Sequence, residues 1–251
     1  MKRYFNLLFV SLFFVLMRVN PALAFRLTPM TQVFAPAGNN ATHAYNVVND
    51  KDERVAVEIT VVERNVDANG TESYIPAEDD FLIYPAQMIL EPNTTQVVRV
   101  SWLGDPEPEQ ELAFRLVAEQ LPINLVDPDA PILVQPVGQV QVLLRYLGAL
   151  FVRPEGVQAA VQIESVTAQS GEQATPTVSI NFINQGNASA SLRDLKLSLT
   201  AQGQTISLTP AQLEGVTGYT ILAGHRRSFV VPRPDALPQG PITATFEYRQ
   251  D

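Results

Sequence analysis

The sequence predicts an all-β chain folded as two β-sandwiches. Three observations carry this. After residue 25, apolar residues recur at every second position in short stretches, the period of a strand with one apolar face. Clusters of Gly, Pro, Asn and Asp separate these stretches at roughly the 8–12-residue spacing of sandwich strands. No long stretch carries apolar residues at helical spacing.

Residues 1–24 stand apart from this pattern. Lys2 and Arg3 precede an apolar run over 7–16, and Ala22-Leu23-Ala24 has the A-x-A form of a cleavage site. This predicts a signal peptide over 1–24 and a mature chain starting at Phe25. The apolar run falls short of a membrane span, and no later run approaches one. An exported, soluble protein without membrane insertion is therefore expected. Removing the leader leaves 14 basic against 26 acidic residues. That balance argues against a nucleic-acid partner, which needs a basic face. The chain has no cysteine, which excludes disulfides and thiolate chemistry.

The first series of strands is read in order. Residues 26–35 form a strand, closed by the turn 36–40, and 42–48 form the next. Residues 54–64 alternate so that Val55, Val57, Ile59 and Val61 share one face. Asp67-Ala68-Asn69-Gly70 is a hairpin-type turn. Residues 81–90 make a short strand broken by Pro85, and 95–102 and 112–121 follow. The acidic stretch 105–111 reads as a solvated connection. The stretch 122–136 has four prolines and reads as a long mobile loop.

That loop leads into 132–154, the stretch around which the rest is organised. Its even positions Ile132, Val134, Pro136, Gly138, Val140, Val142, Leu144 and Tyr146 are all non-polar, and the odd ones include Gln135, Gln139, Gln141 and Arg145. The apolar face either lies on its own core or is offered to another protein. The pattern alone does not separate these readings.

A joint at 152–156 precedes a second series of strands over 157–168, 177–184, 191–200, 204–208, 218–222, 226–231 and 242–248. Residues 209–215 suit one helical turn. The domain organisation read from the sequence is a leader over 1–24, one sandwich over 25–153 and another over 154–251.

Catalytic and metal-binding patterns are not found. His43 and His225 are the only histidines, and His43 reads as a surface residue. There is no HExxH helix, no GxSxG and no Gly-rich phosphate loop. The expectation is a protein that is not an enzyme and needs no cofactor or metal. The Asn-x-Ser/Thr triplets at Asn40, Asn69, Asn93 and Asn187 are glycan acceptors only in a eukaryotic secreted protein.

Several stretches together resemble the PapD-like periplasmic chaperones of chaperone–usher pili. They are VFAPAGNNATHAYNVVNDKDERVAVEITV (33–61), PAQMILEPNTTQVVRV (85–100), ELAFRLVAEQLP (111–122) and VQVLLRYLGALFVRPEG (140–156). The likeness is looser after 156, in FINQGNASASLRDLKL and GYTILAGHRRSFVVP. The long loop, the lack of cysteine and the FRL and LFVRP wording resemble the archaic branch of the family.

The resemblance implies two immunoglobulin-like domains set at an angle, in a boomerang shape, in the periplasm. It implies a chaperone that binds, folds and caps pilus (fimbrial) subunits and delivers them to an outer-membrane usher. Such a subunit lacks its last strand, and the chaperone supplies one by donor-strand complementation, a mode for which this family is itself a general example. The implied donor residues are Val140, Val142, Leu144 and Tyr146, extended by Ile132 and Val134. Each apolar side chain buried in a subunit groove contributes roughly 1.5–3 kcal/mol before ordering costs.

The family's typical pair of basic residues for the subunit's terminal carboxylate aligns with Thr31 and Ala149, neither of which is basic. Arg115 and Arg145 are the substitutes. The resemblance also implies an interdomain salt bridge of Glu111, Arg153 and Asp235. A second reading is a secreted two-sandwich adhesion or carbohydrate-binding protein, for which Tyr74, Tyr84 and Tyr219 would supply exposed aromatics.

Overall fold

A computed structural model of the chain describes residues 25–123, 125, 142–169 and 176–250. The leader, the 122–136 loop beyond Leu125, and Ile132, Val134 and Val140 lie outside the described residues.

The first half holds β1 (Phe25–Thr28), β2 (Thr31–Phe34), β3 (Thr42–Asn49), β4 (Val55–Val66), β5 (Glu72–Pro76), β6 (Phe81–Tyr84), β7 (Gln87–Leu90), β8 (Thr95–Trp102), β9 (Leu112–Gln120) and β10 (Arg145–Val152). One sheet runs β1-β3-β8-β6. The facing sheet runs β2-β10-β9-β4-β5, with β7 also paired to β4. Alternation turns one face of the core-forming strands inward. Val55, Val57, Ile59 and Val61 of β4 are all buried, packed with Tyr45, Val47, Val98, Val100, Leu116 and Leu150. Phe81 seals one end, with Trp102 and Phe114 each 5.0 Å away and edge-on or nearly so.

The second half holds β11 (Val161–Gln169), β12 (Thr177–Asn184), β13 (Ala190–Ser191), β14 (Arg193–Ala201), β15 (Gln204–Ser207), β16 (Thr220–Ile221), β17 (Arg226–Pro232) and β18 (Ile242–Arg249). Its sheets are β11-β12-β17 and β15-β14-β18, with β13 paired to β16. Val178, Ile180, Phe182, Leu197, Leu199 and Phe229 fill a second core that shares no residue with the first.

Four details correct or refine the sequence reading. The single strand expected over 26–35 is two. Pro29 has no N–H to give a ladder, and the chain crosses there from the four-stranded sheet (β1) to the six-stranded one (β2). Pro85 marks a second such crossing, between β6 and β7. Strand β5 was not expected, because it buries no face and so shows no alternation. His43 is half-buried rather than a surface residue, edge-on to Phe34 at 4.6 Å and 2.9 Å from Gln32 Nε2. The helical turn expected in 209–215 is a 3-10 turn, Pro210–Leu213, closed by a capping box between Thr209 and Gln212.

The two halves end a central strand in the same way. Asn49 closes β3 and Asn184 closes β12, and both are fully buried. Asn49 Nδ2 donates to the carbonyls of Glu53, Leu90 and Glu91. Asn184 Nδ2 donates to those of Ala188, Ile221 and Leu222. Each amide thereby ties a strand end to a neighbouring loop and satisfies carbonyls that burial would otherwise leave unpaired.

Candidate functional site: an open strand edge and an arginine cleft

Strand β10 is paired on one side along its whole length and on the other along only half of it. It runs antiparallel to β9 from Arg145 to Val152. It runs parallel to β2 only from Ala149 to Val152. Gln120 N donates to Leu144 O, so even residues turn their main chain toward β9. Ala149 N donates to Met30 O, so odd residues face the β2 side. Arg145 and Leu147 therefore direct their N–H and C=O groups to a side that no strand among the described residues covers. An unpaired edge of this kind is a template for another strand.

The side chains of the even face grade from buried to exposed along the same line. Val152 and Leu150 are fully buried. Tyr146 and Leu144 are half-buried and pack on the core of their own sandwich. Tyr146 meets Phe25 edge-on at 5.0 Å, and its hydroxyl donates to Phe25 O at 2.6 Å. Val142 is 65% exposed. The apolar face is thus part of the core at one end and exposed at the other. Leu144 and Tyr146 are partly core residues, because the even face of β10 is continuous with the sandwich interior. Val142 is the described donor candidate with its side chain in solvent.

Beside this edge the outer face of the six-stranded sheet turns toward the second half and forms a cleft. Thr31, Ala149, Arg115 and Val62 stand side by side in one row across β2, β10, β9 and β4. Arg115 is thus one strand over from Ala149 and two from Thr31, the aligned anchor positions. A cavity of about 280 Å³ is lined by Thr31, Arg64, Glu72, Arg115, Tyr219 and Arg227, among others. Glu72 accepts two hydrogen bonds from Arg115, at 3.0 and 2.6 Å, and two from Arg64, at 2.9 and 2.6 Å. Tyr74 adds another at 2.8 Å. Burial pushes the Glu72 carboxyl up, but the bonds from Arg115 and Tyr74 and the two cationic neighbours outweigh it and hold it at about 2.

Arg145, the other anchor candidate, is elsewhere. It is half exposed and 3.3 Å from an equally exposed Glu119, a surface pair of little energetic weight.

The sequence reading missed three members of the cleft. Arg64 and Glu72 are not singled out by the sequence, since Glu72 is 43 residues from Arg115. Arg227 lies in an Arg-Arg doublet that is not singled out either. Its parity was the available signal, because Arg227 alternates with the buried Phe229 and Val231. Its guanidinium packs on Tyr219 and Phe229, 5.5 and 5.4 Å from their ring centres.

At the joint, Arg153 Nε donates to Glu111 Oε2. The other Glu111 oxygen accepts the Ser189 amide at 3.1 Å, and Glu111 N donates to Asn187 O at 2.9 Å. Glu111 thereby spans the two halves. Among the described residues no ion pair joins Asp235 to either Glu111 or Arg153, and Asp235 is exposed. The third place in this contact is taken by a backbone amide.

His43 and His225 face Gln32 and a main-chain carbonyl respectively. Among the described residues no group of three or more His, Cys, Asp or Glu side chains could hold a metal, and no helix is long and apolar enough to cross a membrane. Tyr74, Tyr84 and Tyr219 do not share a groove. Tyr84 is on the four-stranded sheet, Tyr74 on the far edge of the six-stranded one, and Tyr219 in the second half.

Fold and site define a class: a two-sandwich, all-β protein with a strand edge that is open among the described residues, beside a cationic cleft. The profile of the pili and flagellar-assembly chaperones, PapD N-terminal domain, matches residues 27–158. The chain belongs to this family, which is one of chaperones and not an enzyme class. Solved structures agree in fold. A chaperone–tip adhesion subunit pre-assembly complex of the archaic Csu pili of Acinetobacter baumannii (CsuC–CsuE) superposes with a TM-score of 0.56 at 17% identity, covering 87% of this chain and 91% of that one. The class 5 fimbriae chaperone CfaA gives 0.53 at 12% identity, covering 90% and 100%. A chaperone–tip adhesin complex of CFA/I fimbriae gives 0.51 at 13% identity, covering 89% and 98%. The two halves are thus immunoglobulin-like sandwiches. No curated protein matches the sequence.

Proposed function

We propose that the chain is a periplasmic chaperone that captures pilus subunits by donor-strand complementation and passes them to an outer-membrane usher. One observation carries this reading. The unpaired edge of β10 at Arg145 and Leu147 continues the same strand line as the exposed Val142. A subunit lacking its last strand needs both things that this line offers. Main-chain groups pair with its sheet edge, and alternate apolar side chains fill its groove. Residues 25–153 form the subunit-binding domain and 154–251 the second domain. Val140, Ile132 and Val134, outside the described residues, are further donor residues in this reading. Arg115 receives the subunit's terminal carboxylate, since it shares the Thr31–Ala149 row. The family assignment supports subunits as partners, as do relatives solved with tip subunits.

The experiment is co-production with a pilus subunit lacking its final strand, followed by isolation of the complex. A 1:1 complex is expected. Leu147→Pro removes one N–H from the open edge and none from the β9 ladder, so it should leave the sandwich folded and abolish the complex. A complex that survives Leu147→Pro undiminished would remove the donor-edge reading.

A further inference from the structure

The cleft holds three arginines, Arg64, Arg115 and Arg227, against one carboxylate, Glu72. Arg64 and Arg115 are both committed to Glu72. Arg227 is not. Its Nε is buried without any hydrogen-bond partner, and no ion pair reaches it among the described residues. A buried guanidinium N–H without an acceptor is costly, and such an orphan donor needs an explanation.

The surroundings fix this guanidinium rather than let it swing to water. Tyr219 and Phe229 pack against it. On its other side is Gly70 of the first sandwich, where a Cβ would fall 1.6 Å from Arg227 Nη1. Gly70 also has φ +92°, so a side chain is excluded there twice over. The adjoining residue binds across the same gap, Ser228 N donating to Ala68 O at 2.7 Å. A cation held in place at the cleft, with a donor left over, is a preorganised receptor for an anion.

The geometry points to Arg227 as the second-sandwich half of the carboxylate site, so that a chain-terminal carboxylate seated in the cleft is gripped by Arg115 from one sandwich and by Arg227 from the other. This rests on the proposed capture of subunits through the cleft and adds a residue to it. Glu72 neutralises one of the three charges and keeps Arg64 and Arg115 apart from bulk water. Two positive charges remain in the cleft, and the planar arginine fork matches a carboxylate in shape. Because the two gripping residues belong to different sandwiches, occupancy of the cleft ties the sandwiches together.

The test uses the full mature chain and follows the side-chain Nε–Hε NMR signals of Arg227 and Arg115. The probes are acetate, acetamide and inorganic phosphate. Both signals should move saturably with acetate and stay still with acetamide. Phosphate should act at least tenfold more weakly. Arg227→Gln should cut acetate affinity at least tenfold and leave the melting temperature within a few degrees. Arg227→Lys should recover part of the affinity. Movement of the Arg115 signal alone overturns the role of Arg227 while leaving cleft capture intact. Stillness of both signals overturns the two together. Equal response to phosphate and acetate makes the site one for anions in general and overturns the carboxylate assignment. If Arg227→Gln unfolds the chain, the Arg227 signal in the unaltered protein decides alone.

Discussion

Glu111 and Arg153 flank the same end of the β9–β10 pair and form an ion pair there, with the Glu111 side chain only 1% exposed. One carboxylate oxygen serves Arg153 within the first sandwich, and the other takes the Ser189 amide of the second. The residue at the joint is therefore the glutamate, and the arginine holds it in position.

This ranks two substitutions. Glu111→Ala removes both links and should loosen the sandwiches relative to each other. Arg153→Ala leaves the Ser189 bond but deprives a buried carboxylate of its cation, at about 2 kcal/mol. Small-angle scattering should show the larger change for Glu111→Ala and calorimetry the larger loss for Arg153→Ala. Equal scattering profiles for the two variants would refute the ranking.

The even face of β10 predicts a ladder of effects. Leu150→Asp places a charge in a fully closed core and should prevent folding. Leu144→Asp should cost about 2–3 kcal/mol, since Leu144 is half-buried on the same core. Val142→Asp should leave the melting temperature unchanged and still abolish subunit capture. If Val142→Asp binds subunits as well as the unaltered chain, the donor line does not extend to that residue.

Glu72 predicts a specific acid response. Its carboxyl is held at about 2, below the ordinary 4.5 it regains on unfolding. The group therefore stabilises the fold fully above pH 4.5, and the contribution fades as pH falls toward 2. It amounts to at most on the order of 3 kcal/mol. Glu72→Gln should be less stable than the unaltered chain at pH 7 and nearly equal to it at pH 2. Denaturant melts at both pH values measure this; parallel losses in the two proteins would rule out the assignment.

The buried asparagines predict paired losses. Asn49→Ala and Asn184→Ala each strand carbonyls in the interior, at about 2–4 kcal/mol apiece. Because the residues serve separate cores, the double variant should lose the sum. If either single substitution shifts the transitions of both halves, the two halves do not unfold independently.

The strands that the sequence made legible are those with one buried face. β4 was readable because Val55, Val57, Ile59 and Val61 all point the same way into one core. β5 was not, because nothing along it is buried. The joint pair Glu111–Arg153 was reachable through resemblance, whereas Asp235 was placed there by a weak alignment and is not at the contact. The edge of β10 left open among the described residues was reachable only through the resemblance, not through the pattern. Periodicity reports which face of a strand is apolar, and says nothing about whether a neighbour is present at its edge. The cleft depended on partners brought together from β4, β5, β9 and β17, so its charges looked like scattered surface residues.

The crossing at Pro29 has a consequence for how the receptor is measured out. β2 can lie along β10 only from the point where the chain has arrived from the opposite sheet, next to Ala149. The length of β10 left vacant is thus decided by a strand from the other end of the first sandwich. Had the chain crossed four residues sooner, β2 would have run alongside Arg145 and Leu147 and the sandwich would have been sealed. A few residues around Pro29 act as the ruler that determines how much of the sheet edge stays open among the described residues.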